Sequence, residues 1–456
     1  MRRWLRPVHA VVWRVERVLD GLRRWVASWT GTDRPRSVLA FTGWSNGVTL
    51  RCGGRVLASP PARGPNSGDT AWRNLQSSWY AWNSREVRGA AVRLTVGAMN
   101  DETVVTAEAV SDEEGYVFFD LALDVPLGRG AAGDGRHATR LEVLGWPGRS
   151  GDAGPTGVAG AAVVVEPPPD ADLGLISDVD DTVLHTGITS LWTTLRLTFL
   201  GNARTRQALP GVATLYRWFA AGGNPDAHPR VAQAASSRRP VFYVSSSPWN
   251  LHGLLTGFFA LNRLPAGPVL LQDYGVDATK FITGFGHTHK LDQARKIVDD
   301  FPRVRFVLCG DSGQRDPVLY RRLVEERPGR VAAVLIRDVD PLRPGRRDGA
   351  AEAELQRVRD RGVPAFLAQS SAAMAGHLVR AGLLPSDAVA AVQAAAARDR
   401  DRPAVARAAV AAAVGLDGTP SAHPSTDPLT DPATGPSTDP ATGPSTDPST
   451  DPATGL

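Results

Sequence analysis

The stretch LGLISDVDDT, residues 173–182, joins an apolar run to a cluster of carboxylates. The apolar residues predict a buried strand, and the change to polar residues predicts a turn at its end. Asp178 and Asp180 are two residues apart, so on an extended segment their side chains point to the same side. Because carboxylates held close together repel, the pair predicts a metal site or an acid–base pair. An acidic loop that caps the next helix is the alternative.

A second predicted strand, residues 241–244, ends in three serines that begin at Ser245. Its apolar residues predict that it is buried. A hydroxyl group at the carboxyl end of a strand can hold a phosphate oxygen, while the alternative is a serine that only forms the turn. Ser245 is therefore a candidate phosphate-binding residue.

Lys290 is one of three lysines in the chain, against several dozen arginines. It stands at the start of a helical pattern of apolar residues, and an ammonium group suits a point contact to a phosphoryl oxygen. The neighbouring pair His287 and His289 could bind a metal, but two histidines without further ligands nearby are more typical of a polar loop. Lys290 is thus the second candidate for binding phosphate.

A third predicted strand, residues 304–309, leads to Asp311 in a glycine-flanked turn, and Asp316 follows five residues later. In an open parallel sheet, ligands bind at the carboxyl ends of the strands. We therefore expect these carboxylates to lie beside the acidic pair, the serine and the lysine described above.

Six stretches between residues 172 and 340 carry a family resemblance: ISDVDDTVLHTGIT, LPGVATLYRWF, FYVSSSPWNL, LPAGPVLLQDYG, FVLCGDSGQRDPVLY and VLIRDV. They resemble the haloacid dehalogenase superfamily of phosphatases and, within it, the family of magnesium-dependent phosphatidate phosphatases typified by the fungal actin-patch phosphatase. The resemblance implies an α/β fold with a Rossmann-like parallel sheet of the haloacid dehalogenase type. Residues 222–239, which look like an insertion, depart from the family pattern.

The resemblance also implies a Mg²⁺-dependent phosphomonoesterase that passes through an aspartyl-phosphate. Phosphoryl transfer needs an in-line nucleophile, neutralisation of the phosphoryl oxygens and a proton for the leaving oxygen. Asp178 would be the nucleophile, and Asp180 would protonate the leaving oxygen and later accept a proton from water. Ser245 and Lys290 would hold the phosphoryl group.

The implied Mg²⁺ ligands are Asp178, the backbone carbonyl of Asp180 and Asp311, with Asp316 as an indirect or water-bridged partner. Asp181 faces the other way and is interpreted as structural. The chain has no GxxxxGK[ST] loop, which argues against a nucleotide cofactor.

Length and composition predict several domains, because 456 residues with 42% hydrophobic content can form two or three ordinary cores. We expect a basic amphipathic leader in residues 1–36, a small all-β sandwich in 37–166 and the phosphatase domain in 167–345. An alanine-rich helical extension, 346–418, and a disordered Pro/Thr/Asp tail, 419–456, follow.

Two isolated cysteines, Cys52 and Cys309, indicate a reducing compartment and a cytoplasmic location. Residues 1–30 carry seven arginines and an apolar stripe, which predict either peripheral binding to the inner, anionic face of a membrane or packing on the protein. The expected substrate is phosphatidate or a related phospholipid. The alternatives are phosphorylated nucleic acid or protein, and a scaffold that binds partners through its β-sandwich.

Overall fold

The computed structural model describes residues 36–58, 87–97, 103–128, 135–146, 159–184, 208–225, 239–272, 288–339 and 346–414. The chain divides into two compact units, Met1–Val410 and Ala411–Leu456, and both β-sheets lie in the first. Of the second unit, the structure describes the last turn of one helix. Within the described stretches, no helix has the length and apolar character needed to cross a membrane.

The first sheet has seven strands in the order β4-β3-β6-β7-β1-β2-β5, and its pairs are antiparallel except for β1 with β7. The strands are β1 (Ser37–Ser45), β2 (Thr49–Leu57), β3 (Ala91–Gly97), β4 (Thr103–Val110), β5 (Tyr116–Ala122), β6 (Arg136–Gly145) and β7 (Gly160–Val165).

This first sheet curls around its own apolar core. Its two edge strands, β4 and β5, contact each other, and alternate residues of β3 point inward, among them Val92, Leu94 and Val96. A sandwich of two separate sheets is not what the hydrogen bonds of the described residues show, since they join all seven strands into one. The prediction of an all-β region before the α/β domain agrees with this mainly antiparallel sheet.

The second sheet is fully parallel, with the order β10-β9-β8-β11-β12-β13. Its strands are β8 (Leu173–Asp178), β9 (Val241–Pro248), β10 (Val269–Gln272), β11 (Arg305–Asp311), β12 (Val331–Arg337) and β13 (Ala365–Ala368). The first strand, β8, lies inside the sheet. The next two strands add on one side of it and the last three on the other, which is the order of a doubly wound α/β sheet.

Seven α-helices are described, besides a 3-10 turn at Trp249–Leu251: α1 (Val212–Ala221), α2 (His252–Leu261), α3 (Thr288–Asp300), α4 (Asp316–Glu326), α5 (Arg346–Arg359), α6 (Ser371–Arg380) and α7 (Asp387–Val414). Helices α1, α2, α6 and α7 cover one face of the parallel sheet, and α3, α4 and α5 cover the other. Both faces are buried, as parallel sheets require, and this explains the continuous apolar runs of these strands.

The segment predicted as an alanine-rich helical extension also contains a strand. β13 pairs with β12 and forms the edge of the parallel sheet, so residues 346–400 continue the α/β fold. The predicted leader up to residue 35, the aromatic residues between Trp72 and Trp82, His287 and the tail from 419 lie outside the described residues.

Asp300, at the end of α3, joins the two sheets. It accepts hydrogen bonds from Trp44 Nε1 at 2.9 Å and from Arg51 Nε and Nη2 at 2.9 and 3.1 Å. Its backbone carbonyl accepts a bond from Asn46 Nδ2 at 2.7 Å. Trp44 also lies edge-on to Phe242 of β9 at 5.8 Å. The indole of Trp44 therefore belongs to the core of the parallel sheet, although its backbone belongs to β1.

A second contact between the sheets is aromatic. Phe41 of β1 stacks on Trp249 at 4.8 Å and lies 4.2 Å from the ring of His252. Neither ring nitrogen of His252 has a hydrogen-bond partner among the described residues, and burial lowers the pKa of this histidine to about 3. The imidazole is thus neutral near neutral pH and packs as an apolar ring.

Candidate active site

The predicted site residues meet at the carboxyl edge of the parallel sheet. Asp178 ends β8, Asp311 ends β11, and these two strands are neighbours on either side of the point where the strand order reverses. Crevices at such reversal points are where open α/β sheets bind ligands. Ser245 comes from β9, on the other side of β8.

A sharp turn at residues 181–183 follows the two acidic residues of the pair. Asp181 has a positive φ of 54°, a conformation in which a non-glycine residue is uncommon, and its N–H donates to the carbonyl of Leu184 at 2.7 Å. Asp178 and Asp180 are both buried. The turn therefore holds two carboxylates at the sheet edge while Asp181 stays partly exposed.

Lys290, in the first turn of α3, is 6% exposed and forms the centre of the cluster. Its Nζ lies 2.7 Å from Asp178 Oδ1 and donates to Asp316 Oδ1 at 3.0 Å and to Gln314 Oε1 at 3.0 Å. One buried ammonium group thus links the ends of β8 and β11 through the start of α4.

Ser245 contacts the second carboxylate of the pair. Its hydroxyl donates to Asp180 Oδ2 at 3.0 Å and accepts a bond from the N–H of Ser247 at 2.9 Å. Asp180 Oδ1 is buried and has no hydrogen-bond partner among the described residues. That oxygen is consequently free to interact with a ligand.

The turn after β11 is built around Asp311. Its Oδ1 accepts bonds from the N–H groups of Gly313 and Gln314 at 2.8 and 2.9 Å, which fixes the carboxylate. Its Oδ2 is buried without a hydrogen-bond partner in the described part of the chain. A Cβ atom on Gly310 would lie 2.6 Å from Asp316 Cβ, so only glycine allows α4 to begin this close to the strand.

Asp316 uses both of its carboxylate oxygens on the protein. Oδ1 accepts a bond from Lys290, and Oδ2 accepts one from the N–H of Asp311 at 3.3 Å. One oxygen from each of Asp178, Asp311 and Asp316 nevertheless falls within 4.8 Å of the others. Asp316 is therefore placed to position Lys290 and Asp311 and to act on a cation indirectly.

The sequence motifs place Gln314 only in a glycine-flanked turn, whereas the structure places its side chain in the cluster. Its Nε2 donates to Asp178 Oδ2 at 3.3 Å and to the backbone carbonyl of Asp180 at 3.4 Å, while its Oε1 accepts from Lys290. A single amide thus contacts the predicted nucleophile and the predicted phosphate-binding lysine. Its position within GDSGQRDP, beside two acidic motif residues, is the signal in the sequence that could have identified it.

The electrostatics of the cluster are dominated by burial. Burial raises the pKa of Asp178 well above its usual value and raises the pKa of Asp180 to about 6 and that of Asp311 to about 8. Burial alone would lower the pKa of Lys290, but Asp178, Asp316 and Asp311 outweigh it and raise that pKa. Four buried carboxyl groups thus surround one ammonium, a charge imbalance that favours a bound cation or proton.

Carboxylate oxygens are the ligands that Mg²⁺ prefers in proteins, and the residues present fit such an ion. Asp311 Oδ2 has no partner among the described residues, and oxygens of Asp178 and Asp316 lie within 4.8 Å of a ligand oxygen of Asp311.

Residues 173–338, which contain all of these groups, match the family described as "Phosphatidate phosphatase APP1, catalytic domain". These residues are similar to the catalytic domain of the APP1-like phosphatidate phosphatases, and the predicted family resemblance is confirmed for this segment. The match begins at β8 and ends just after β12.

Two curated relatives match the same region. Phosphatidate phosphatase APP1 of Saccharomyces cerevisiae is 30% identical over 166 residues, which are 36% of this chain and 26% of the yeast protein. An uncharacterized protein of Schizosaccharomyces pombe is 26% identical over 167 residues, 37% of this chain and 25% of its own. The alignment therefore spans about a quarter of the length of these relatives.

Solved structures give weaker likenesses. A β-glucuronidase of Bifidobacterium dentium has a TM-score of 0.25 at 13% identity, over 74% of this chain and 54% of its own. A structure of PhoD has a TM-score of 0.29 at 8% identity, over 68% of this chain and 72% of its own. Scores this low carry no argument about fold or function.

Proposed function

We propose that this protein is a Mg²⁺-dependent phosphomonoesterase that acts on phosphatidate through an aspartyl-phosphate, in an α/β domain of the haloacid dehalogenase type. The observation that carries this function is the buried cluster in which Lys290 Nζ lies 2.7 Å from Asp178 Oδ1, inside a segment that matches a phosphatidate phosphatase catalytic domain. The doubly wound strand order supports the proposed fold type.

In the first step, a carboxylate oxygen of Asp178 bonds to phosphorus while the bond from phosphorus to the alcohol oxygen breaks. Asp180 donates its proton to that departing oxygen. Burial raises the pKa of Asp180 to about 6, so it can hold and release a proton near neutral pH. In the second step, Asp180 takes a proton from water, which hydrolyses the aspartyl-phosphate and releases phosphate.

Lys290 and Ser245 would hold the phosphoryl group during both steps. Lys290 is locked in place by three contacts, to Asp178, Asp316 and Gln314, and would present its charge next to the nucleophile. Ser245 Oγ donates to Asp180 Oδ2 at 3.0 Å, which places its hydroxyl beside the proposed acid. Fixed donors of this kind stabilise the transition state without reorganising at the moment of reaction.

Asp178, the backbone carbonyl of Asp180 and Asp311 would hold Mg²⁺, with Asp316 acting through Lys290 and the N–H of Asp311. When bound, Mg²⁺ would neutralise negative charge on the phosphoryl oxygens. The unpartnered Oδ2 of Asp311 supports this assignment among the described residues.

The lipid substrate is proposed from the family match, since the yeast relative is named a phosphatidate phosphatase. A peripheral membrane contact through residues 1–30 would bring the enzyme to that substrate; these residues lie outside the described part of the chain. A purely scaffolding role would leave the cost of burying one ammonium and four carboxyl groups unexplained.

The test is an assay of phosphate released in Mg²⁺ from phosphatidate, lysophosphatidate, a phosphopeptide and a 5′-phosphorylated oligonucleotide. We expect phosphatidate to be the best substrate. A clear preference for the oligonucleotide or the peptide would refute the lipid assignment, and no release from any of the four would refute the phosphomonoesterase itself.

A further inference from the structure

A cavity of about 210 Å³ lies at the carboxyl edge of the parallel sheet, where β12 and β13 end. That volume is well above the roughly 10–15 Å³ needed to hold one water, so the cavity can take a polyatomic group. Its wall includes Asp181, the residue after the predicted general acid, and Leu209 before α1. None of the functional roles assigned above uses this space.

Arg337, the last residue of β12, lines the cavity and is 6% exposed. It is the register partner of Asp311 on β11, so the cavity lies about one strand spacing from the proposed metal site. Its Nη2 donates to Ser371 Oγ at 2.8 Å, whereas its Nε has no acceptor among the described residues. Arg337 also forms no ion pair within the described stretches.

A buried guanidinium without an opposite charge is unfavourable, because it has given up water without gaining a partner. Burial accordingly lowers the pKa of Arg337. Two carboxylates, Asp181 and Asp338, share the cavity wall, but within the described residues neither pairs with Arg337. An anion in the cavity would supply the missing opposite charge.

The start of α6 adds a second feature that favours an anion. Gln369 and Ser370 line the cavity directly before this ten-residue helix, and Ser370 caps it by accepting a bond from the N–H of Ala373 at 3.2 Å. The positive end of the helix dipole therefore points at the same space as Arg337. Arg400 of α7, which is exposed, contributes a further positive charge to the wall.

We propose that this cavity is an oxyanion-binding subsite that holds a phosphate group through Arg337, the N-terminus of α6 and Arg400. The same chemistry could come from two sources, inorganic phosphate or the headgroup of a phosphomonoester lipid. The subsite is separate from the catalytic cluster and does not require the proposed function, since it binds without turnover.

Calorimetric titration with inorganic phosphate in EDTA tests the subsite directly. Without a divalent cation, the four buried carboxyl groups of the catalytic cluster disfavour an anion there, so heat of binding reports the cavity. We expect one phosphate per chain. Arg337→Met should weaken binding at least about tenfold, which corresponds to one lost charge-assisted hydrogen bond. Arg400→Gln should weaken phosphate binding several-fold. Arg398 is an exposed residue of the same helix but is not in the cavity wall, so Arg398→Gln should not change phosphate binding.

Thermal melting without phosphate provides the control for folding. Arg337→Met replaces an uncompensated charge by an apolar chain of similar length, so its melting temperature should not fall. A clear drop would show that the guanidinium is already compensated within the protein and would overturn the proposal. Equal phosphate affinity of wild type and Arg337→Met, or no binding by wild type at millimolar phosphate, would overturn it too.

A parallel titration with dioctanoyl phosphatidate below its micellar concentration, again in EDTA, identifies the source. If this lipid binds as tightly as phosphate and its binding depends on Arg337, the subsite is assigned to a lipid headgroup. If only inorganic phosphate binds, the subsite is assigned to the free ion. Phosphatase activity in Mg²⁺ is a separate measurement, so the failure of the proposed function and the failure of the subsite are distinguishable.

Discussion

The ammonium of Lys290 lies 2.7 Å from Asp178 Oδ1 and 3.0 Å from Asp316 Oδ1, and all three side chains are at most 6% exposed. These contacts join α3 to the end of β8 and to the start of α4, two elements that the chain separates by more than a hundred residues. The same three side chains therefore hold these elements together and are also candidate catalytic groups. Predictions about them need a measurement of folding beside every measurement of rate.

Asp178→Asn should abolish turnover while leaving the protein folded. The amide is nearly isosteric with the carboxylate, and Lys290 keeps its contact with Asp316, but an amide oxygen is a poor nucleophile. The measurement is phosphate release in Mg²⁺ beside a melting curve. Asp292→Asn, at a mostly exposed residue of α3, is the matched control and should keep full activity. Near-normal turnover by Asp178→Asn would exclude the aspartyl-phosphate.

Gln314→Ala should lower kcat strongly and change KM little. Its amide fixes Asp178 and Lys290 relative to each other, and misplacing reacting groups by about 1 Å can cost on the order of 10²-fold in rate. Gln314→Glu should be at least as slow, because it adds a carboxylate beside Asp178. Steady-state kinetics are the test, with Gln356→Ala on α5 as the control. An unchanged kcat would show that Gln314 does not position Asp178 and Lys290 for catalysis.

Chelation of divalent cations should abolish phosphatase activity, and added Mg²⁺ should restore that activity. The same ion should also raise the melting temperature, because a ligand that binds only the folded state stabilises it by about 2.7 kcal/mol at a hundred times its Kd. Asp311→Asn should lose that shift, since it neutralises the carboxylate with the unpartnered oxygen. Full activity in EDTA, or a Mg²⁺-induced shift that survives Asp311→Asn, contradicts the assignment.

His252 should make the junction between the sheets sensitive to acid. Its folded pKa is about 3, below the value of about 6.5 for an unfolded histidine, so the unfolded chain binds the proton more readily. This contribution to stability is present above pH 6.5 and is lost as the pH falls toward 3. In His252→Phe, the melting temperature should fall less between pH 6.5 and pH 4 than in the wild type. If both proteins showed the same dependence of melting temperature on pH, the His252 ring would make no contribution to acid sensitivity.

Deletion of residues 1–30 should lower activity on phosphatidate in anionic vesicles and hardly affect activity on a soluble phosphomonoester. Each arginine near an anionic surface contributes on the order of 1 kcal/mol, so binding should weaken with salt. Vesicle sedimentation of both proteins at low and high salt measures this. Equal binding by both would mean that the segment packs on the protein, and equal loss on both substrates would mean that it supports the fold.

Much of the candidate site follows from local sequence patterns, because its residues stand at the ends of apolar strands. The predicted strands at residues 241–244 and 304–309 match β9 and β11, since continuous apolar runs followed by turn residues determine both. The short strand β13 was missed because its four residues lie in an alanine-rich region whose average favours helix. It is stabilised by pairing with β12, a tertiary contact.

The contacts of Gln314 and Trp44 could not be predicted in the same way. Gln314 reaches Asp178 only because Asp311 accepts two backbone bonds that shape the turn. Trp44 lies in one sheet and packs in the core of the other, a relationship between residues about 200 positions apart that no local periodicity encodes.

That tryptophan determines where the chain can be cut. A protein that began at Pro167 would contain the whole family segment, yet it would lack the indole beside Phe242 and the three donor groups of Trp44 and Arg51 that bind the Asp300 carboxylate. Loss of a core tryptophan typically costs about 3–5 kcal/mol, a large part of the stability of a single domain. The parallel-sheet region and the curled sheet are therefore not interchangeable modules, and grafting either onto another protein would require carrying Trp44 with the core it fills.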